Sequence, residues 1–258
     1  MKTSAIRSGL NRVVRVVIDT YRLGLTTWRA VPGFIAISAI PEFAQHIVEI
    51  RLGMFASRDA AHALANDSLR WDFGYAKIAG LVIAMILIGR YWAVGRSWRR
   101  ALFIPLPTIA YLLLAIAVFM GTAFLLSSRV FALPTVLDIA RSVVSFIVQT
   151  GLIAWIVGIV FEDKTITLSG AFTERFPTAI VITALFFLAM LVPGQFIHGL
   201  DHRFALGQPA PVVWTLMTFD SLVVGTMAAL AGSALYVGYS SGLTWRGWRP
   251  NTVSASPA

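Results

Sequence analysis

The chain has 258 residues, 57% of them hydrophobic and only 13% charged. That charged share is about half that of an ordinary soluble domain, and no single small core could hide so much apolar surface from water. A soluble fold is therefore excluded, and the bilayer must act as solvent for most of the chain. The net charge of +9 does not indicate nucleic acid. The basic residues lie beside apolar runs, where cytoplasmic loops and anionic lipid headgroups account for them.

There is no cysteine, which rules out disulfides, thiolate metal sites and a cysteine nucleophile. Eighteen arginines against three lysines suggest a GC-rich bacterial source. Residues 4–25 read as an amphipathic helix. Ile6, Leu10, Val13, Val14, Val17, Ile18 and Tyr21 share one face, while Arg12, Arg15, Asp19 and Arg22 take the other and Arg7 sits at the boundary. Such a helix can lie on the inner leaflet with its arginines toward phosphates. It can equally be a solvated helix packed on its own membrane domain. A cleaved signal peptide is not expected, because the first long apolar run starts only near Ala30.

Six apolar stretches follow, at about 30–50, 75–94, 103–126, 135–161, 178–197 and 212–239. The expected fold is an all-α polytopic membrane helix bundle, six transmembrane helices preceded by the amphipathic N-terminal helix. It divides into a cytoplasmic arm (1–29), a transmembrane domain (30–240) and a disordered cytoplasmic tail (241–258). The second stretch ends in Arg90, Arg96, Arg99 and Arg100, the third opens with Pro105 and Pro107, and the fifth contains Val192-Pro193-Gly194. The N-terminal arm holds Lys2, Arg7, Arg12, Arg15, Arg22 and Arg29, and the tail holds Arg246 and Arg249. By the positive-inside rule both termini are cytoplasmic in a multi-pass inner-membrane protein. The connections 51–74, 127–134 and 198–210 then face outward. Trp71, Trp98, Trp214, Trp245 and Trp248 fall near span ends, where interfacial anchors belong.

After the fourth stretch come Phe161-Glu162-Asp163-Lys164, Thr167-Leu168 and Ala171-Phe172. With the six-helix layout and the Val-Pro-Gly inside a span, this turn resembles a group of mostly uncharacterised bacterial integral membrane proteins. These are similar to the membrane domain attached to some glycerophosphodiester phosphodiesterases. The resemblance implies a lipid-associated six-helix membrane domain. It implies no phosphodiesterase activity, since no catalytic domain of that kind is present.

Glu42, His46 and Glu49, at i, i+4 and i+7, share one stripe of a helix. A carboxylate near the bilayer centre costs roughly 2.5–3.5 kcal/mol on insertion scales, so Glu42 should face other helices or a wet cavity. Carboxylate and imidazole together suit a divalent metal or a proton relay. The plainer reading ends the span near Pro41 and leaves the stripe in the outer interface. His198, Asp201 and His202 follow the fifth stretch on the same outer side, as does His62. If helix continues there, His198 and His202 can grip one metal ion, although Gly199 argues against a rigid helix. Nothing in the sequence shows that the first and fifth stretches touch. Asp138 and Arg141, at i and i+3, read as a structural pair.

Asp220, inside the sixth stretch, is the most isolated charge. It can bond Thr218 or Ser221 locally, or join Arg141 or a histidine. Asp220 and Glu42 are the candidate proton-relay carboxylates. Gly225, Ala229 and Ser233 repeat every fourth residue, as do Ala228 and Gly232, a spacing that brings helices close within the chain or between subunits.

No Walker loop, dinucleotide fingerprint, Gly-x-Ser-x-Gly or His-Glu-x-x-His is present, and the longest connection is about 24 residues. An enzyme is therefore not the first expectation. That expectation is a non-enzymatic accessory, structural or small-solute transport protein, with membrane lipids and a homo-oligomer or membrane partner as its associates. The alternative is a metal-dependent protein, enzyme or metal handling. It would use an outward-facing divalent transition-metal site drawn from Glu42, His46, Glu49, His198, Asp201 and His202.

Overall fold

Proline decides where the first crossing breaks. Helix α1 (Lys2–Ala30) stops at Val31. Pro32 has no N–H to extend the ladder, and the residue before a proline is pushed out of the α region. Val31 has φ −144° and ψ 61°, and Pro32 then opens α2 (Pro32–Arg51) from its first turn. The two helices meet at 91°. The computed structural model describes residues 2–127 and 134–244, with no strand among them. The loop at 128–133, Trp245, Trp248, Arg246, Arg249 and nearly all of the proposed tail lie outside the described residues. So do the side chains of Ile6, Arg7 and Leu10.

Beyond α2 come α3 (Arg58–Ala63), α4 (Ser68–Ala93), α5 (Trp98–Leu102), α6 (Leu106–Leu125) and α7 (Thr135–Val160). Then follow α8 (Leu168–Phe172), α9 (Phe176–Met190), a π-helical stretch (Leu191–His198), α10 (Gly199–Ala205) and α11 (Ala210–Thr244). Five helical segments are long and apolar enough to cross a membrane: Ser68–Ala93, Leu106–Leu125, Thr135–Val160, Phe176–Ala205 and Ala210–Gly242. The architecture is an all-α polytopic bundle. α1 and α2 reach spanning length and apolarity only together, as a pair bent by 91°, either a broken span or a re-entrant loop. α2, diluted by Glu42, His46 and Glu49, qualifies as a crossing only when joined to Asn11–Ala30. The fifth crossing also runs past Ile197 to Ala205, so the helix does continue through Gly199.

The chain forms two compact units. The first contains residues up to Gly89 together with Phe186–Ala234. Its buried axis is α11, where Met217, Ala228, Ala229, Ala231 and Ala234 are fully enclosed. Here the small-residue spacing serves packing within the chain. Gly225 receives Ile35 and Trp28, and Gly232 lies against the Met85 carbonyl and Ile88. Gly80 of α4 makes the closest approach to a neighbouring backbone. A Cβ there would lie 2.5 Å from the Ile37 carbonyl oxygen and 3.3 Å from the Pro41 ring. Ile37 is the carbonyl that the missing N–H of Pro41 leaves without its helical donor. Proline inside α2 and glycine on α4 therefore solve one packing problem together.

The second unit contains Arg90–Leu185 and the chain from Leu235. Arg90 is not a loop-facing cation but is 2% exposed. It donates to the carbonyls of Arg100, Ala101, Phe103 and Val160, and at 2.6 Å to the Glu162 carboxylate. One guanidinium thus satisfies carbonyls that the ends of α5 and α7 would otherwise leave without donors. Asp138 pairs with Arg141 in the first turns of α7, as the spacing predicted. Nearby, Asp163 accepts hydrogen bonds from the Thr165 amide and hydroxyl and, at 2.6 Å, from the Tyr239 hydroxyl. Burial alone would raise the Asp163 carboxyl. The hydrogen bonds from Thr165 and Tyr239 and the nearby Arg175 outweigh it and hold the group below its ordinary value.

Two outcomes follow. Gly80→Ala should cost about 1–3 kcal/mol by overpacking against backbone, whereas Gly33→Ala, with open space around it, should leave the thermal midpoint in detergent nearly unchanged. Because the Asp163 pKa is depressed on folding, its stabilisation is complete above the ordinary carboxylate range near ~4 and is lost as pH falls through the folded value. Asp163→Asn should therefore lower stability at neutral pH and flatten its acid dependence in denaturation series.

Candidate metal centre

Three elements of the first unit bring the ionisable residues to one place. Helix α2 runs straight past Pro41, so Glu42, His46 and Glu49 stand on one stripe, each no more than 1% exposed. They do not sit in a wet interface. In the fifth crossing, Pro193 interrupts α-helical bonding and the chain widens into the π-helical stretch, a local form frequent at functional sites. Helix resumes through α10, which sets His198 and His202 one turn apart. Helix α11 supplies Asp220, fully buried.

The contacts centre on the His46 imidazole. Its Nε2 lies 2.9 Å from Asp220 Oδ2 and 3.2 Å from Glu42 Oε1, and its Nδ1 lies 3.0 Å from Glu49 Oε2. His198 Nδ1 is 2.7 and 2.8 Å from the two oxygens of Asp220. His202 Nε2 is 3.5 Å from Asp220 Oδ2, within ion-pair reach but without a hydrogen bond. The His202 ring lies 5.2 Å from that of His46 and 4.9 Å from that of His198. Asp220 therefore joins histidines rather than its helical neighbours, since Thr218 and Ser221 donate to the carbonyls of Trp214 and Met217.

Two cations from α4 complete the cluster. Lys77 donates to Glu42 Oε1 at 3.0 Å, and Arg70 Nε donates to Glu49 Oε1 at 2.9 Å. Gln45 adds a 3.2 Å bond to the same Glu49 oxygen. Sequence reasoning missed Lys77, Arg70 and Gln45. The readable signal was a lysine two residues inside the second apolar stretch, seven positions after an arginine, on the same helix face.

Three carboxylates surround one imidazole, yet a neutral imidazole carries a single N–H. With Nδ1–H given to Glu49, the lone pair of Nε2 faces two carboxylate oxygens. That arrangement requires a positive species at Nε2, either its own second proton or a bound cation. The charge balance agrees: Glu42, Glu49 and Asp220 bring three negative charges against two from Lys77 and Arg70. Buried charge of this kind is paired or coordinates a metal. Several buried polar atoms also have no hydrogen-bond partner: Glu42 Oε2, Gln45 Oε1, Asp201 Oδ2 and His202 Nε2.

Glu42, His46, His202 and Asp220 each offer one ligand atom, all within 4.8 Å of one another. The close separations of 2.9, 3.2 and 3.5 Å bracket the roughly 3.3 Å edge of a tetrahedron with bonds of about 2.0–2.1 Å. Of the other sequence-based candidates, Glu49 and His198 stand behind these four, bonded to His46 and Asp220. Asp201 is 7% exposed and outside the converging set. His62 is exposed on α3.

Lys77→Met removes the ammonium from a fully buried Glu42. Breaking such a pair typically costs about 3–5 kcal/mol, and here the lower end applies because a quarter of the Lys77 side chain is exposed. The Lys77→Met/Glu42→Gln double variant should lose clearly less than the sum of the single losses in metal-free protein, as a double-mutant cycle in detergent would reveal. Additive losses would mean that the two groups do not interact. Comparison with known proteins gives no match: no family model fits the chain, and no curated protein or solved structure is significantly similar.

Proposed function

We propose that the chain is a multi-pass bacterial inner-membrane protein that holds a divalent transition metal on Glu42, His46, His202 and Asp220. The observation that carries this reading is the environment of His46. Its Nε2 faces two carboxylates, while Nδ1 is held by Glu49, itself fixed by Arg70 and Gln45. A metal-binding histidine almost always gives its second ring nitrogen to a carboxylate or carbonyl, which fixes the tautomer and orients the ring. Two imidazoles and two carboxylates suit zinc, iron, cobalt or manganese better than calcium or magnesium. Four protein ligands fill a tetrahedral shell without an open position for water. The site therefore favours metal holding or handling over hydrolysis.

Orientation and compartment belong to the same proposal. The basic residues of the N-terminal arm and of the connection after α4 support a reading with both termini in the cytoplasm. The metal then lies toward the outer face, within reach of His198 and His202, each 26% exposed.

Elemental analysis of detergent-purified protein kept free of chelator tests the reading. Near-stoichiometric transition metal is expected, lost in His46→Ala and Asp220→Asn and retained in His62→Ala. Glu49→Gln should keep the ligands yet weaken metal affinity about 10–100-fold. A wild-type protein that takes up no metal, even with ions added, would overturn the assignment. The contact chain Glu42–His46–Asp220–His198 would then support the second reading, a proton relay for small-solute transport. That reading is checked by loss of pH-driven flux in Asp220→Asn proteoliposomes.

A further inference from the structure

Helix α1 packs on its own unit through a narrow face of small residues. Thr20, Gly24 and Thr27 are buried, Gly24 lies against Leu230, and the Tyr21 hydroxyl donates to the Leu188 carbonyl at 2.9 Å. The threonine hydroxyls on this face bond back to their own helix, so the seam itself is nearly free of charge. Beside that face the helix leaves a line of apolar residues uncovered. Val14, Ile18 and Leu25 are 48%, 57% and 62% exposed and form a stripe beside the packed face.

Bordering that stripe, Arg15, Arg22 and Arg29 are exposed at seven-residue intervals, which places them on one line about 10 Å apart. The acid of this region, Asp19, lies farther round the helix than the arginine line. An apolar stripe edged by a row of guanidinium groups matches the boundary between acyl chains and phosphates, where arginine can chelate phosphate oxygens. The helix is also joined directly to α2, and Asn11–Ala30 with Pro32–Arg51 together have the length and apolarity of a membrane element, bent by 91° into a broken span or a re-entrant loop. Its exposed stripe therefore enters or borders the bilayer by connection, whatever its own affinity.

We infer that α1 is a lipid-docking element that recruits anionic phospholipid, with Val14, Ile18 and Leu25 against acyl chains and Arg15, Arg22 and Arg29 against headgroup phosphates. The docking is independent of the metal site and stands or falls separately. It distinguishes α1 from the apolar crossings, which contact any lipid without regard to headgroup.

The absence of cysteine allows a direct test on the full chain. The Ile18→Cys variant, labelled with an environment-sensitive fluorophore, is reconstituted into bilayers of phosphatidylcholine and phosphatidylglycerol. Each phospholipid is supplied in turn with a spin-labelled quencher at equal mole fraction. At least twofold stronger quenching by the phosphatidylglycerol quencher is expected, with little quenching by aqueous iodide. The Arg15→Gln/Arg22→Gln/Arg29→Gln variant should quench equally with both lipids while keeping the parent thermal midpoint. Equal quenching in the parent, a preference that survives the triple substitution, or dominant quenching by iodide would each overturn the inference. So would protection from lipid and iodide alike, which would mean that a second copy or another protein covers the stripe. If labelling at Ile18 prevents folding, Val14→Cys reads the same stripe.

Discussion

The imidazole of His46 faces Glu42, Glu49 and Asp220 where almost no solvent reaches, and the rest of the first unit is arranged around that constraint. Uncompensated charge in a low-dielectric interior costs several kcal/mol per ion. Each carboxylate therefore has a cation or an N–H aimed at it: Lys77 on Glu42, Arg70 and Gln45 on Glu49, His198 on Asp220. These compensations come from α2, α4 and the π-helical stretch, so the cluster also ties those three elements to α11. What remains after the pairing is Nε2 of His46 facing two carboxylate oxygens, a place for its own second proton or for a bound cation. Such an arrangement is a poor way to stabilise a fold, since apolar residues of similar volume commonly do as well or better.

The backbone irregularities serve this site. Pro41 frees a carbonyl in α2, and Gly80 lets α4 close on that point. The approach brings Lys77, one turn earlier on α4, within 3.0 Å of Glu42. Pro193 disrupts the α-helical ladder of the fifth crossing and the π-helical stretch absorbs it, after which His198 and His202 turn toward Asp220. Irregular backbone at membrane depth is tolerated only where it is buried in protein or lines a polar site. Both irregularities here meet that condition. At Val31, the residue before Pro32, α1 and α2 meet at 91°, which leaves α1 running across rather than along the direction of α2.

The second unit uses its buried charges differently. Arg90 spends its donors on helix-end carbonyls and one carboxylate, and Asp163 is satisfied by two hydroxyls and an amide. Glu162 adopts a left-handed backbone with φ 56°, a conformation that costs a non-glycine residue about 1–2 kcal/mol, and its carboxylate is held at 2.6 Å from Arg90. These groups close on themselves, with acceptors matched to donors. The His46 cluster leaves acceptors without partners, Glu42 Oε2 among them, and this contrast separates a structural knot from a candidate binding site.

By itself the sequence determined the solvent, the element type and the ingredients of the site. Apolar runs of about 20 residues have few other solutions than membrane helices, and the spacing of Glu42, His46 and Glu49 put them on one stripe without any tertiary information. The i, i+3 pairing of Asp138 with Arg141 was legible for the same local reason. The tertiary structure alone decided whether α2 survives Pro41, since a proline can end a helix or merely bend it according to what packs beside it. It alone decided that α2 and the fifth crossing meet at Asp220, that Lys77 and Arg70 face inward, and that α1 meets α2 at 91°. Helical periodicity states which residues share a face. Which face meets which depends on close approach at Gly80, Gly225 and Gly232, and that is a property of the folded bundle rather than of any one segment.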